Sequence, residues 1–172
     1  KIGYAVQSTG LFPHLNIRDN IAILGKIAQR TSSFIQERTG FLMDTMQLPV
    51  SYLEAYPHEL SGGEQQRAGL CRAFFLQPPL VLMDEPSEGL SPRFVLHVGE
   101  IMKRMRSLGH AILLVEQNLA LALSVADHVH IIASGRFVFS GTPEELKSRP
   151  DVLDEHLGVS GAKSLDDIGA HA

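Results

Sequence analysis

Asp84 and Glu85 stand together at the end of an apolar run, LVLMD, with a proline directly after them. Such a run reads as a buried parallel strand, and its end falls on the carboxyl edge of a sheet, where open α/β folds collect their ligands. One carboxylate there can hold Mg²⁺, directly or through water, and a second can orient a water for attack on phosphorus. A solvated strand end running into a proline turn explains the pair equally well when it is taken alone. LSGGEQQR (Leu60 to Arg67) adds a second feature. Ser61 and Glu64 have the spacing of a capping box, and Gly62 and Gly63 strip the first helical turn of side chains. Free amides at the positive end of a helix dipole attract an anion, and glycines let a phosphate come close. An ordinary capped helix after a glycine-bearing loop is the plainer alternative.

These residues need elements to position them, and the chain supplies an alternating pattern. Lys1 to Val6 reads as a strand, and Gln7 to His14 as a loop punctuated by Gly10 and Pro13. Helical spacing marks IRDNIAILGKIAQR (Ile17 to Arg30) and SFIQERTGFLMDTMQL (Ser33 to Leu48), the second weakened by Gly40 and stopped by Pro49. After Leu60 helix and strand alternate. GGEQQRAGLCRAFFLQ is helical, and Leu80 to Asp84 is a buried strand. Pro92 to Leu108 is a helix with Ser91 as its cap, and AILLVE (Ala111 to Glu116) is a second buried strand. Asn118 to Ala126 is helical, HVHIIAS and RFVFSG are strands joined at Ser134-Gly135, and Thr142 with Glu145 forms a second capping box. The tail from Ser160 has the composition of a frayed end.

Bulk properties narrow the function. A chain of 172 residues with 44% hydrophobic residues can bury a core, and a net charge of −4 argues against nucleic-acid binding through a basic face. No apolar run is long enough to span a bilayer, so a role at a membrane needs a partner chain. The single cysteine, Cys71, forms no intrachain disulfide and suits a reducing compartment. His14, His58, His97, His110, His128 and His130 lack metal-ligand spacing, and His128 with His130 reads as one face of a strand.

LSGGEQQR followed by LVLMDEP resembles the signature motif and Walker B strand of the ATP-binding-cassette (ABC) ATPases, a likeness running from about Ile2 to Val159. Gln7 falls on the family's Q-loop glutamine, Ser87, Glu88, Gly89 and Leu90 on the D-loop, and VEQN (Val115 to Asn118) on the switch region. The resemblance implies an α/β fold: a largely parallel sheet flanked by helices, over residues 1–159, with an α-helical subdomain inserted at about residues 15–76. It implies ATP and Mg²⁺ as ligands. Ser61, Gly62, Gly63 and Glu64 would meet the γ-phosphate of a nucleotide held mainly by a second ATPase subunit. Asp84 would support Mg²⁺, Glu85 would polarise the attacking water, and Gln7 would sense metal and phosphate. Membrane permease subunits would dock through the Q-loop and helical subdomain, at the cytoplasmic face of the plasma membrane.

Two departures from the family pattern matter. No GxxxxGK(S/T) occurs, and the chain opens on Lys1 already as a strand, so it is expected to be the later part of a longer chain and not to hydrolyse ATP alone. Gln117 stands at the switch position, where most members have histidine, and it can donate a hydrogen bond without carrying a proton charge. The later half (DEPSEGLSP, VEQNLALAL, GTPEEL) resembles importers of branched-chain amino acids, the earlier half (GLFPHLNIRDNIA, YPHELSGG) importers of osmoprotectants such as glycine betaine. The importer ATPase is the leading reading. A non-hydrolysing fragment that docks a partner and a soluble cassette ATPase acting on DNA or ribosomes are the competitors.

Overall fold

The structure, a computed structural model, describes residues 2–6 and 10–157. The chain divides into two compact units, Lys1–Glu116 and Gln117–Ala172.

In the first unit β1 (Ile2–Ala5) leads into α1 (Ile17–Ile27) and α2 (Ser32–Thr45). Two 3-10 turns (Val50–Glu54 and Pro57–Glu59) then precede α3 (Gly62–Phe74), β2 (Leu80–Asp84), α4 (Pro92–Ser107) and β3 (Ala111–Val115). The strands form one parallel sheet in the order β1-β2-β3, pairing Tyr4 with Leu82, Leu82 with Leu113 and Asp84 with Val115. Fully buried Ile17, Ile21, Leu42, Met43, Met46, Leu70, Phe74, Phe75, Met83, Met102 and Met105 make its core.

The first two helices begin at side-chain caps. Asn16 Oδ1 accepts the Asp19 N–H (2.8 Å), and Thr31 Oγ1 accepts the Phe34 N–H (3.3 Å). They end earlier than periodicity suggests. α1 stops at Ile27 and α2 at Thr45, because Gln29 and Gln47 adopt the left-handed conformation (φ 51° each) that closes a helix, a place glycine usually takes. Gly40 does not interrupt α2. Ser91 occupies the cap position of α4, but its side chain makes no capping hydrogen bond. Arg38 of α2 is buried against the end of α3, donating from Nε to the Phe75 carbonyl (3.1 Å) and from Nη2 to the Phe74 carbonyl (2.8 Å). Those carbonyls lie where a helix runs out of internal partners, so Arg38 ties the two helices at a polar joint.

β2 and β3 are not buried on both faces as their apolar runs suggest. Gly3, Ala5, Val81 and Met83 lie buried, with α3 packed on β1 and α4 on β3. On the opposite face Ile2, Tyr4, Leu113 and Val115 are each at least half exposed. Parallel strands are apolar throughout because both faces usually receive helices, and here α3 and α4 serve one of them.

The second unit holds α5 (Leu119–Val125), the hairpin β4 (Val129–Ala133) and β5 (Arg136–Gly141), α6 (Pro143–Lys147) and α7 (Pro150–Leu157). Ser134 and Gly135 both take positive φ (48° and 75°), the geometry of a tight hairpin turn. Ile131, Leu146, Val152 and Leu153 form its core. Thr142 and Glu145 cap α6 reciprocally, as their spacing predicts. His128 precedes β4, and its ring lies 4.8 Å from that of His130, both exposed on one face of the hairpin. The expected fraying from Ser160 lies outside the described residues.

Gly3 shows how closely α3 lies on the sheet. A Cβ there would collide with the Ala73 carbonyl oxygen and sit 2.9 Å from Pro78 Cγ. Gly3→Ala should therefore destabilise by roughly 1–3 kcal/mol, the range for overpacking, and lower the urea midpoint accordingly.

Candidate functional site

β2 delivers Asp84 as its last residue, half-buried and paired with Val115. Glu85 then leaves the strand with φ 46°, in the left-handed region that a side chain beyond glycine enters at a cost of roughly 1–3 kcal/mol. Several hydrogen bonds hold that conformation. The Glu85 N–H donates to the Val115 carbonyl (2.8 Å), the Glu88 N–H to the Glu85 carbonyl (3.1 Å) and the Leu90 N–H to the Ser87 carbonyl (3.1 Å). The Ser87 N–H donates to Glu116 Oε2 (3.3 Å). Pro86 and Ser87 are buried while Glu88 and Gly89 reach solvent, with Gly89 at φ 70° completing the reversal.

The mouth of α3 is built from a second set of contacts. The Ser61 N–H donates to Glu64 Oε2 (2.8 Å), and Tyr52 Oη donates to Glu64 Oε1 (3.0 Å). Both carboxylate oxygens are thus engaged in holding the helix start. The Ser61 hydroxyl and backbone N–H, with smaller help from Tyr52 and Arg67, hold the Glu64 carboxyl below its ordinary value. Helix geometry leaves the Gly62 and Gly63 amides without partners inside α3.

The two glycines differ in what they face. Gly62 is exposed, and a Cβ there would meet nothing within 4 Å. Gly63 is buried, and a Cβ there would lie 3.0 Å from Phe94 Cδ1 and 3.1 Å from Phe94 Cγ. Gly62 therefore leaves room for a ligand, whereas Gly63 admits the ring of α4. Arg67, one turn further along α3, is also buried, its guanidinium 5.5 Å from the Phe94 ring centroid. Tyr52 and Phe94 are participants that motif reading passes over, and Glu116, inside VEQN, received no role of its own. Glu116 alone carried a local signal, a carboxylate at the end of an apolar strand.

Gln7 lies outside the described residues. Gln117 opens the second unit, next to Asn118, whose Oδ1 caps α5 by accepting the Leu121 N–H (3.0 Å). A shallow cleft of about 370 Å³ opens elsewhere in the first unit, lined by Arg38, Phe41, Gln77, Pro78, Leu108 and His110. It contains none of the residues that the motifs single out.

Two outcomes test this geometry. Gly62→Ala, in open space at a helix start, should leave stability unchanged or raise it by up to ~1 kcal/mol, while Gly63→Ala should lower it by displacing Phe94. Thermal unfolding of the two variants separates them. The second outcome concerns His97 of α4, whose Nε2 is buried without a hydrogen-bond partner among the described residues. Burial chiefly, and then the Arg67 charge, holds its imidazole below the ordinary 6.5, against the hydrogen bond the ring donates to the Met46 carbonyl. The unfolded chain therefore takes up this proton at a higher pH than the folded one. His97 should leave stability untouched above pH 6.5 and erode it as pH falls below that value. His97→Gln should flatten the loss of stability as pH falls below about 6.5 in urea titrations.

Comparison with known proteins places these elements in a family. The profile of the ABC transporter family, described as "ABC transporter", matches residues 1–88. The glycine betaine/carnitine/choline transport ATP-binding protein OpuCA of Bacillus subtilis is 38% identical over 161 residues, 92% of this chain and 42% of OpuCA. The glycine betaine uptake system ATP-binding protein YehX of Escherichia coli is 38% identical over 163 residues, covering 93% and 53% of the two chains. The Fe(3+) ions import ATP-binding protein FbpC of Pseudomonas fluorescens is 40% identical over 152 residues, covering 87% and 42%. This chain thus spans about half, or less, of the length of these curated relatives. Among solved structures, CbiO1 of Clostridium perfringens, part of the ABC transporter complex CbiONQ, matches with a TM-score of 0.79 at 20% identity. That match covers 91% of this chain and 64% of CbiO1, a likeness of fold. The family match reaches from β1 to the turn after Asp84-Glu85, and this chain belongs to the ABC transporter family.

Proposed function

We propose that this chain is part of the ATP-binding and ATP-hydrolysing subunit of an importer, in which two copies close on ATP and reopen after hydrolysis. The observation that carries the proposal is the left-handed turn at Glu85, which sets a half-buried carboxylate beside Asp84 at the carboxyl edge of the sheet. A strained conformation held by several hydrogen bonds is what a site demanding one carboxylate position requires.

The residues fit the ligands of this chemistry. Asp84 offers the hard oxygen donor that Mg²⁺ prefers, and bound Mg²⁺ neutralises phosphate charge. Glu85 accepts the proton of the attacking water as its oxygen bonds to the γ-phosphorus and the bond to the bridging oxygen breaks. Ser61 and the Gly62 and Gly63 amides receive the γ-phosphate of a nucleotide held mainly by the other copy, at the exposed mouth of α3. Gln117 adds a neutral hydrogen bond to the γ-phosphate on which Glu85 acts, and Gln7 senses metal and phosphate. Ser87 to Leu90 form the turn that faces the second copy. Glu64 supports this mouth through Ser61 and Tyr52.

Several relatives carry names of quaternary-ammonium solute uptake, and this supports an osmoprotectant such as glycine betaine as the cargo. No helix among the described residues is long and apolar enough to cross a membrane, which agrees with a peripheral subunit on the cytoplasmic face, docked to permease subunits.

Turnover of Mg-ATP by the full gene product is the test. At saturating ATP, Glu85→Gln should lower turnover by roughly 10²-fold or more, the scale of losing a general base, while ATP still binds. Gln117→Ala should slow turnover less steeply. Near-normal hydrolysis by Glu85→Gln would remove Glu85 from the role of base.

A further inference from the structure

The turn from Glu85 to Leu90 is closely constrained. It contains a non-glycine residue at φ 46° and a glycine at φ 70°. Two of its N–H groups, those of Glu88 and Leu90, are satisfied inside the turn. Two others are satisfied by the end of β3: Glu85 by the Val115 carbonyl, and Ser87 by the Glu116 carboxylate. The Val115 bond is backbone to backbone and follows from the strand register. The Glu116 bond belongs to a side chain, so it depends on residue identity.

We propose that Glu116 is a positioning residue for hydrolysis: its carboxylate fixes the Ser87 N–H and so holds the turn that aims Glu85. Four facts carry this. Ser87 is buried, at 7% exposure, so its N–H would be costly to leave without a partner. Glu116 is adjacent in sequence to Val115, whose carbonyl holds Glu85, so one strand end grips the turn at two points. Glu85 sits in a conformation that relaxes unless its surroundings resist. Finally, Glu116 is followed directly by Gln117, so the segment that grips the turn runs straight into the residue read as the switch. Glu116 touches no reacting atom in this scheme and acts through Ser87.

This inference rests on the reading of Glu85 as the base, and the measurements separate the two. Turnover of the parent and of Glu85→Gln tests that reading. The full gene product carrying Glu116→Ala should then show kcat lowered by about tenfold with KM for ATP changed less than about twofold, as for a misplaced group that does not bind substrate. Glu116→Gln keeps an acceptor oxygen at the same reach and should restore kcat to within about twofold of the parent. A probe free of activity is amide hydrogen exchange at Ser87, which should quicken by at least about tenfold in Glu116→Ala and stay slow in Glu116→Gln. Should the alanine chain fail to fold, Glu116→Asp carries the test, because a carboxylate one methylene shorter loses the reach to Ser87. Unchanged exchange at Ser87 in that variant and in Glu116→Ala overturns the tether. Faster exchange with unchanged kcat overturns the catalytic consequence. A glutamine variant as slow as alanine shows that charge, not hydrogen-bond acceptance, is what matters, and also overturns the proposal.

Discussion

The parallel pairing of β2 with β3, Asp84 level with Val115, is the constraint on which the site depends. It places the end of one strand beside the end of the next, so that the first N–H beyond Asp84 meets the last carbonyl of β3. That backbone bond anchors the start of the sharp turn at Glu85. A slip of one residue would send Asp84 to the other face of the sheet and leave the Glu85 N–H without its acceptor. The cost of the left-handed Glu85 is thus offset by sheet register, a property of two strands far apart in sequence and not of the residues that bear the strain.

The mouth of α3 is linked to this turn through α4. The helix that follows the turn begins at Pro92, and two residues later Phe94 places its ring over Gly63 and against Arg67. Movement of the turn would therefore be felt at the start of α3 through a close-packed aromatic contact, since cores of this density transmit displacement instead of absorbing it. Gly62 stands outside the contact and keeps its amide and its open space toward solvent. Glu64 braces the same helix start by accepting from the Ser61 N–H and the Tyr52 hydroxyl. The start of α3 is thus held by the Phe94 ring and by Glu64 together.

The apolar face of the sheet bearing Ile2, Tyr4, Leu113 and Val115 shows the limit of composition as a guide to burial. The runs LVLMD and AILLV have the character of strands covered on both sides. Apolar character records what a strand is suited to, whereas exposure depends on which helices pack against it. In the first unit α3 and α4 supply that cover for the face carrying Val81 and Met83.

What the sequence determined by itself was local or motif-based. Capping residues placed the starts of α3 and α6, because a cap bonds to an amide only two or three residues away. Asp84-Glu85 at the close of an apolar run marked a sheet edge, and the order of LSGGEQQR and LVLMDEP identified the family, since the physics of a phosphate site repeats in one arrangement. The helix ends at Gln29 and Gln47 were not legible, because nothing in a glutamine announces a left-handed residue. Neither were the separate surroundings of Gly62 and Gly63, nor the grip of Glu116 on Ser87. The last two rest on contacts between segments distant in sequence, such as Phe94 on Gly63 or β3 beside β2. Tertiary structure decided them, because only the folded chain brings those groups within bonding distance.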